Sequence, residues 1–225
     1  MRHISITEHV GALENAEGFP LNKPMDVLVG CEWSGVVRDA FNLLGHNAVS
    51  CDLLDSPMPG PHIVGDVLEV ARSKPWDMLI VFPPCTYLSS SGLHWNKRRP
   101  ERAQKTEEAL GFVRDLLSLP IKRKALENPV GCISTRIKRY TQIIQPNQFG
   151  ADASKTTCLW LENLPPLQPI WHVRPRIVDG KKRWANQTDS GQNRLPPSAD
   201  RDQLRGKTYP GVGAAMAMQW GGDCR

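Results

Sequence analysis

The sequence predicts an α/β fold, an open and mostly parallel sheet with helices on both faces. Three observations lead there. Short apolar runs, each closed by Gly, Asp or Pro, recur through the first half of the chain. Stretches with helical periodicity are interleaved with them. The length of 225 residues suits one substantial core.

The elements follow in order. Residues 1–23 have weak patterning and read as a lead-in. Asp26-Val27-Leu28-Val29-Gly30 has the look of a strand buried on both faces. Val36, Val37, Ala40, Phe41 and Leu44 recur at helical spacing, with Gly45 as a stop. Ala48 to Cys51 reads as a second strand ending in Asp52, and Ile63-Val64-Gly65-Asp66 as a third. Asp77 to Phe82 is the strongest strand candidate and is halted by Pro83-Pro84. Gln104 to Leu117 is helical in pattern, and Lys124-Ala125-Leu126 is a strand leading into Glu127-Asn128-Pro129. These define a core at 24–164. A basic, proline-rich region spans 165–207, and an apolar closing helix lies within 208–225.

Bulk properties narrow the function. No window approaches the roughly 18 apolar residues of a membrane span, and the N-terminus lacks the pattern of a secretory signal. Six cysteines, Cys31, Cys51, Cys85, Cys132, Cys158 and Cys224, have no paired spacing. A disulfide framework and a zinc knuckle are thereby disfavoured, and a reducing cytoplasm is the expected setting. The net charge of +5 and pI near 9 favour a polyanionic partner such as nucleic acid.

In open parallel sheets ligands bind beyond the carboxyl ends of the strands. The first strand ends in a turn with Gly30, Ser34 and Gly35, where a ligand can approach backbone closely. The second delivers Asp52, with Leu53 beside it, suited to a ribose diol; the third delivers Asp66, with Val67, suited to an adenine amino group. The plainer reading is that these acids close turns. Turn, acid and second acid in this order point to a nucleoside-bearing cofactor, and no GxxxxGK[ST] phosphate loop is present.

The fourth strand ends in Pro83-Pro84-Cys85-Thr86, followed by Ser89-Ser90-Ser91-Gly92 and, later, Glu127-Asn128-Pro129-Val130. This resembles the Pro-Pro-Cys and Glu-Asn-Val elements of the DNA cytosine-5 methyltransferases. Gln145 to Gly150, Lys155 and Cys158 to Leu161 resemble the family's Gln-x-Arg-x-Arg region, and Tyr209 to Trp220 its closing helix. The short methylases of phages and prophages are the most similar members. The resemblance implies a Rossmann-like class I methyltransferase fold and S-adenosylmethionine as cofactor, in a bacterial host cytoplasm. It implies Cys85 as covalent nucleophile, Glu127 as the acid at cytosine N3, and Lys155 where the family has an arginine on O2. Pro83 falls on the cofactor side. Pro84, Thr86, Ser89 and Asn128 fall on the substrate side, with Arg174, Arg176, Arg183 and Arg205 of the basic region as contacts to DNA. That DNA is either duplex, with the base flipped out, or already single-stranded.

The chain departs from the family in three places. Phe-x-Gly-x-Gly appears as Cys31-Glu32-Trp33-Ser34-Gly35, which makes Glu32 the candidate partner of the cofactor's amino group and Trp33 its neighbour. Arg-x-Arg appears as Lys155-Thr156-Thr157, and lysine lacks the planar fork of arginine. The recognition region is small, with Trp171 and Trp184 interleaved among its cations as stacking or core residues. The same chemistry on RNA or free cytidine nucleotide stays open, as does a DNA-binding protein without turnover. Amino-group methylation fits less well, because Phe82 occupies the place of the required hydrogen-bond acceptor.

Overall fold

In the computed structural model, strand β1 (Asp26–Gly30) is an inner strand, third across a seven-stranded sheet. Residues 23–198 and 200–222 are described; residues 1–22 of the 1–23 lead-in and Cys224 lie outside them. The remaining strands are β2 (Asn47–Asp52), β3 (His62–Val64), β4 (Met78–Val81), β5 (Arg123–Pro129), β6 (Gln142–Ile144) and β7 (Thr157–Glu162). Their order is β3-β2-β1-β4-β5-β7-β6, and β7 alone runs against its neighbours. This is the Rossmann-like, mostly parallel arrangement expected from the sequence.

Alternation along each strand explains the continuous apolar runs. Val27 and Val29, Met78 and Ile80, and Leu159 and Leu161 point into one core, which includes Val37, Phe41, Met216 and Trp220. Leu28, Leu79 and Val81, and Cys158 and Trp160 point into the other, with Val67, Leu110, Val113 and Leu116. Each fully buried side chain of this size contributes about 1.5–3 kcal/mol, so both faces demand a covering layer. Helices α1 (Val36–Leu43) and the closing helix cover one; α2 (Val67–Ser73) and the long helix at 100–118 cover the other.

Several elements differ from the sequence expectation. Helix α2 has too few residues to display a period, and Asp66 starts it by accepting the Leu68 N–H at 2.7 Å. After a short helix α3 (Ser90–Leu93) and a 3₁₀ turn (His94–Lys97), helix α4 runs Pro100–Ser118, earlier than Gln104. Proline suits its first position because no partner is needed there for an N–H. Glu127, Asn128 and Pro129 are part of β5 rather than a loop after it. β4 supports β5 only as far as Leu126, but antiparallel β7 continues the ladder opposite Glu127, Asn128 and Pro129.

Helix α5 (Ile133–Arg136) follows β5. Within the basic region lie a hairpin, β8 (Arg176–Val178) with β9 (Lys181–Arg183), and helix α6 (Arg201–Gly206); the closing helix α7 (Pro210–Gly221) comes last. Gly211 lets α7 approach closely, since a Cβ there would lie 1.7 Å from the Phe149 carbonyl oxygen. No helix among the described residues is long and apolar enough to cross a membrane.

Candidate active site

β4 ends where Pro83 and Pro84 cannot continue the ladder, while β5 runs three residues farther. The step leaves Glu127 at the sheet's carboxyl edge beside the turn that carries Cys85. Asn128, almost fully buried, donates its amide to the Pro83 carbonyl at 2.7 Å, binding turn to strand. Cys132 N–H donates to Leu88 O at 2.9 Å, and Ser90 N–H to Val130 O at 3.0 Å. The Cys85 carbonyl accepts from Leu88 and Ser89 at 3.0 and 2.9 Å. From the other side Arg102 donates to the carbonyls of Thr86 at 2.7 Å and Gly92 at 3.2 Å. The thiol is therefore presented on a turn held at both ends.

Among the described cysteines Cys85 alone is exposed, whereas Cys51, Cys132 and Cys158 are buried and Cys31 is intermediate. Its surroundings still act on it. Desolvation raises the thiol's pKa above 9.0, the charge of Glu127 adds to the rise, and the cations of Lys155 and Arg205 oppose it. Glu127 has only 15% of its side chain exposed. Burial raises its pKa, against Lys155 and a hydrogen bond with Thr157. Its carboxyl thus holds its proton at higher pH than an ordinary carboxylate does, which suits a hydrogen-bond donor to a ring nitrogen.

Lys155 stands 3.9 Å from Glu127 and donates to the Arg205 carbonyl at 3.0 Å. Glu127 and Lys155 line a small cleft with Phe82, Thr157, Thr208 and Tyr209. Cys85 is not among its lining residues. Thr208 carried no sequence signal as a site residue, whereas Thr157 falls in the Lys155-Thr156-Thr157 element and Tyr209 opens the segment that resembles the family's closing helix. Gly131 was not singled out from the sequence either, yet backbone packs tightly against it: a Cβ there would lie 1.9 Å from Leu88 O.

The cofactor candidates gather at the ends of β1 and β2. Cys31 has a positive φ of 54° and turns the chain. Glu32 follows, 4% exposed; one carboxylate oxygen accepts from the Ser34 hydroxyl and, at 3.1 Å, from the Val36 N–H. Its other oxygen is buried without a partner. Such an orphan fits a cationic donor on a bound molecule. Asp52 accepts from Leu54 N–H at 3.0 Å at the end of β2, and Leu53 beside it is 76% exposed. Cation site, acid and exposed apolar side chain together fit the amino-acid and nucleoside parts of S-adenosylmethionine. Trp33 is half-buried and Ser34 buried. Gly30 serves packing, because a Cβ there would meet Val67 at 2.3 Å. Gly35 has φ 72°, a conformation that glycine adopts without strain, and begins α1.

The structure spreads the candidates of the basic region. Arg176 pairs with Asp189 and donates to Gln187 O at 2.7 Å; Arg183 donates to Asp189 O at 2.8 Å, so both tie the hairpin to the segment that follows it. Arg174 and Arg205 are exposed, as are Pro84 and Thr86, whereas Pro83 is buried and Ser89 half-buried. Trp171 is 57% exposed, and Trp184 is half-buried with its indole N–H unpartnered.

No protein family and no curated protein matches this sequence. Among solved structures, a protein described as a DNA modification methyltransferase encoded within a prophage (E. coli) overlaps with a TM-score of 0.42 at 14% identity. The overlap covers 69% of this chain and 53% of that one. An rRNA methylase from Escherichia coli gives 0.35 at 14% identity, covering 68% and 62%. The 16S rRNA methylase RmtB gives 0.31 at 14% identity, covering 69% and 66%. This chain spans less than two thirds of each of them, and each superposition is partial.

Proposed function

We propose that this chain is a DNA (cytosine-5)-methyltransferase that uses Cys85 as a covalent nucleophile and S-adenosylmethionine as methyl donor. The observation that carries the reading is the exposed Cys85 on its double-proline turn, in electrostatic contact with Glu127, a carboxyl whose pKa burial raises.

C5 of cytosine is a poor nucleophile while the ring is aromatic. The Cys85 thiol gives up its proton to solvent water and adds as thiolate to C6, and the displaced electron pair moves toward N3, where Glu127 donates its proton. C5 becomes an enamine carbon. Glu32, Asp52 and Leu53 would hold the cofactor, which when bound supplies an electrophilic methyl group. After transfer a base, a water in the absence of a dedicated side chain, removes the C5 proton; the C6–S bond breaks and Glu127 recovers its proton. Lys155 and Arg205 offset the negative charge on thiolate and carboxylate.

The test uses DNA containing 5-fluorocytosine, in which fluorine replaces the departing proton and leaves the adduct trapped. Wild-type protein with cofactor is expected to form a covalent complex, and Cys85→Ser is expected to form none. Methylation by Cys85→Ser at the wild-type rate would end this reading.

A further inference from the structure

Directly after the Cys85 turn, residues 94–105 carry five cations, Lys97, Arg98, Arg99, Arg102 and Lys105, against one acid, Glu101. Among the described residues none of the five forms an ion pair with a carboxylate. Four lie over aromatic rings instead. Arg98 and Arg99 sit 6.0 and 5.2 Å from the Trp95 ring, and Arg102 and Lys105 sit 4.9 and 5.5 Å from Tyr87. Trp95 is 40% exposed. The turn that presents it is held: Trp95 O accepts from Arg98 and Arg99 N–H at 3.0 Å each, and Asn96 donates to Thr106 on α4 at 2.9 Å. A cluster of like charges without counter-ions invites a polyanion, and an indole within it invites a base face.

We infer that the 94–99 turn is a stacking platform for single-stranded DNA, with an unpaired base on Trp95 and the neighbouring phosphates on Lys97, Arg98 and Arg99. The inference rests on the reading of the Cys85 site as one that acts on DNA. A duplex presents base edges and hides base faces, so it would engage the cations and leave the indole idle. On binding, the base replaces a guanidinium over the ring and the freed arginine turns to a phosphate. The small basic region fits this partner, since a single strand needs no deep groove reading.

Fluorescence anisotropy on a labelled oligonucleotide of about 12 nucleotides, a length suited to such sites, is the test. It is run without cofactor against the single strand, its duplex and the matching RNA. The single strand of DNA is expected to bind at least about tenfold tighter than the duplex. Trp95→Ala is expected to weaken it about 5- to 150-fold, the range for losing one stacked base, and Trp95→Phe far less. Arg98→Gln with Arg99→Gln is expected to flatten the salt dependence by about 1.4 in log–log slope, two phosphates' worth. Equal affinity for duplex, preference for RNA, or a Trp95→Ala affinity within about twofold of wild type would each overturn the inference. Should Trp95→Ala lose its thermal transition, the Trp95→Phe and arginine variants decide. Adduct trapping at Cys85 is read separately, so tight strand binding with no adduct sinks the catalytic reading and not this one.

Discussion

Substituting Gly131 by alanine tests whether thiol and acid work as a pair held by their two loops. A Cβ at this position would stand 1.9 Å from Leu88 O, 2.8 Å from Leu88 C and 3.1 Å from Ser89 Cα. All three are backbone atoms, so no side chain can swing aside. Comfortable contact begins near 3.5 Å, so the loops must part by about 1.5 Å. The bonds Cys132 N–H to Leu88 O and Ser90 N–H to Val130 O then break. At about 1 kcal/mol each the loss is about 2 kcal/mol. For a chain of this size that lowers Tm by about 4–8 °C. Leu88 and Ser89 are bonded to the Cys85 carbonyl, so the thiol moves with them. A displacement near 1 Å costs about 10²-fold in rate. Gly131→Ala is therefore expected to stay folded by circular dichroism while 5-fluorocytosine trapping slows about a hundredfold. Trapping at the wild-type rate in the folded variant would refute the reasoning.

Two further outcomes are expected. Burial raises the Glu127 pKa above the ordinary 4.5, so the folded state holds this proton more tightly than the unfolded chain. Stability from that proton is complete below the ordinary value and is lost as pH rises through the raised one. Glu127→Gln should then melt above wild type at pH 8 in calorimetry, with the gap closing below about pH 4.5 and trapping reduced about 10²- to 10⁴-fold; a gap independent of pH counts against the assignment. Glu32→Gln removes the charge facing a cationic donor, and titration calorimetry is expected to find S-adenosylmethionine bound at least tenfold more weakly, as a charge-assisted bond of about 1.5–3 kcal/mol implies; unchanged affinity would move the cofactor site elsewhere.

Much of the frame is legible residue by residue. β1 and β4 announce themselves because a strand covered on both faces needs an unbroken apolar run, β2 by a shorter run that Ser50 interrupts, and their ends are marked by Gly30, Pro83 and Asp52. The Pro-Pro-Cys and Glu-Asn segments are local patterns, so Cys85 and Glu127 stand out from the amino-acid order alone. What local pattern does not carry is who meets whom. Glu127 stays in a strand because β7, from much later in the chain, pairs with it. Asn128 serves the Pro83 carbonyl, and Gly131 is needed against Leu88, for reasons located in another segment. Arg176 and Arg183, which as sequence are only cations, are engaged by Gln187 and Asp189 of the segment that follows the hairpin. Composition and periodicity encode burial, which each residue carries in its side chain. Contacts between distant segments depend on packing and on backbone groups that every residue shares, so only the folded chain decides them.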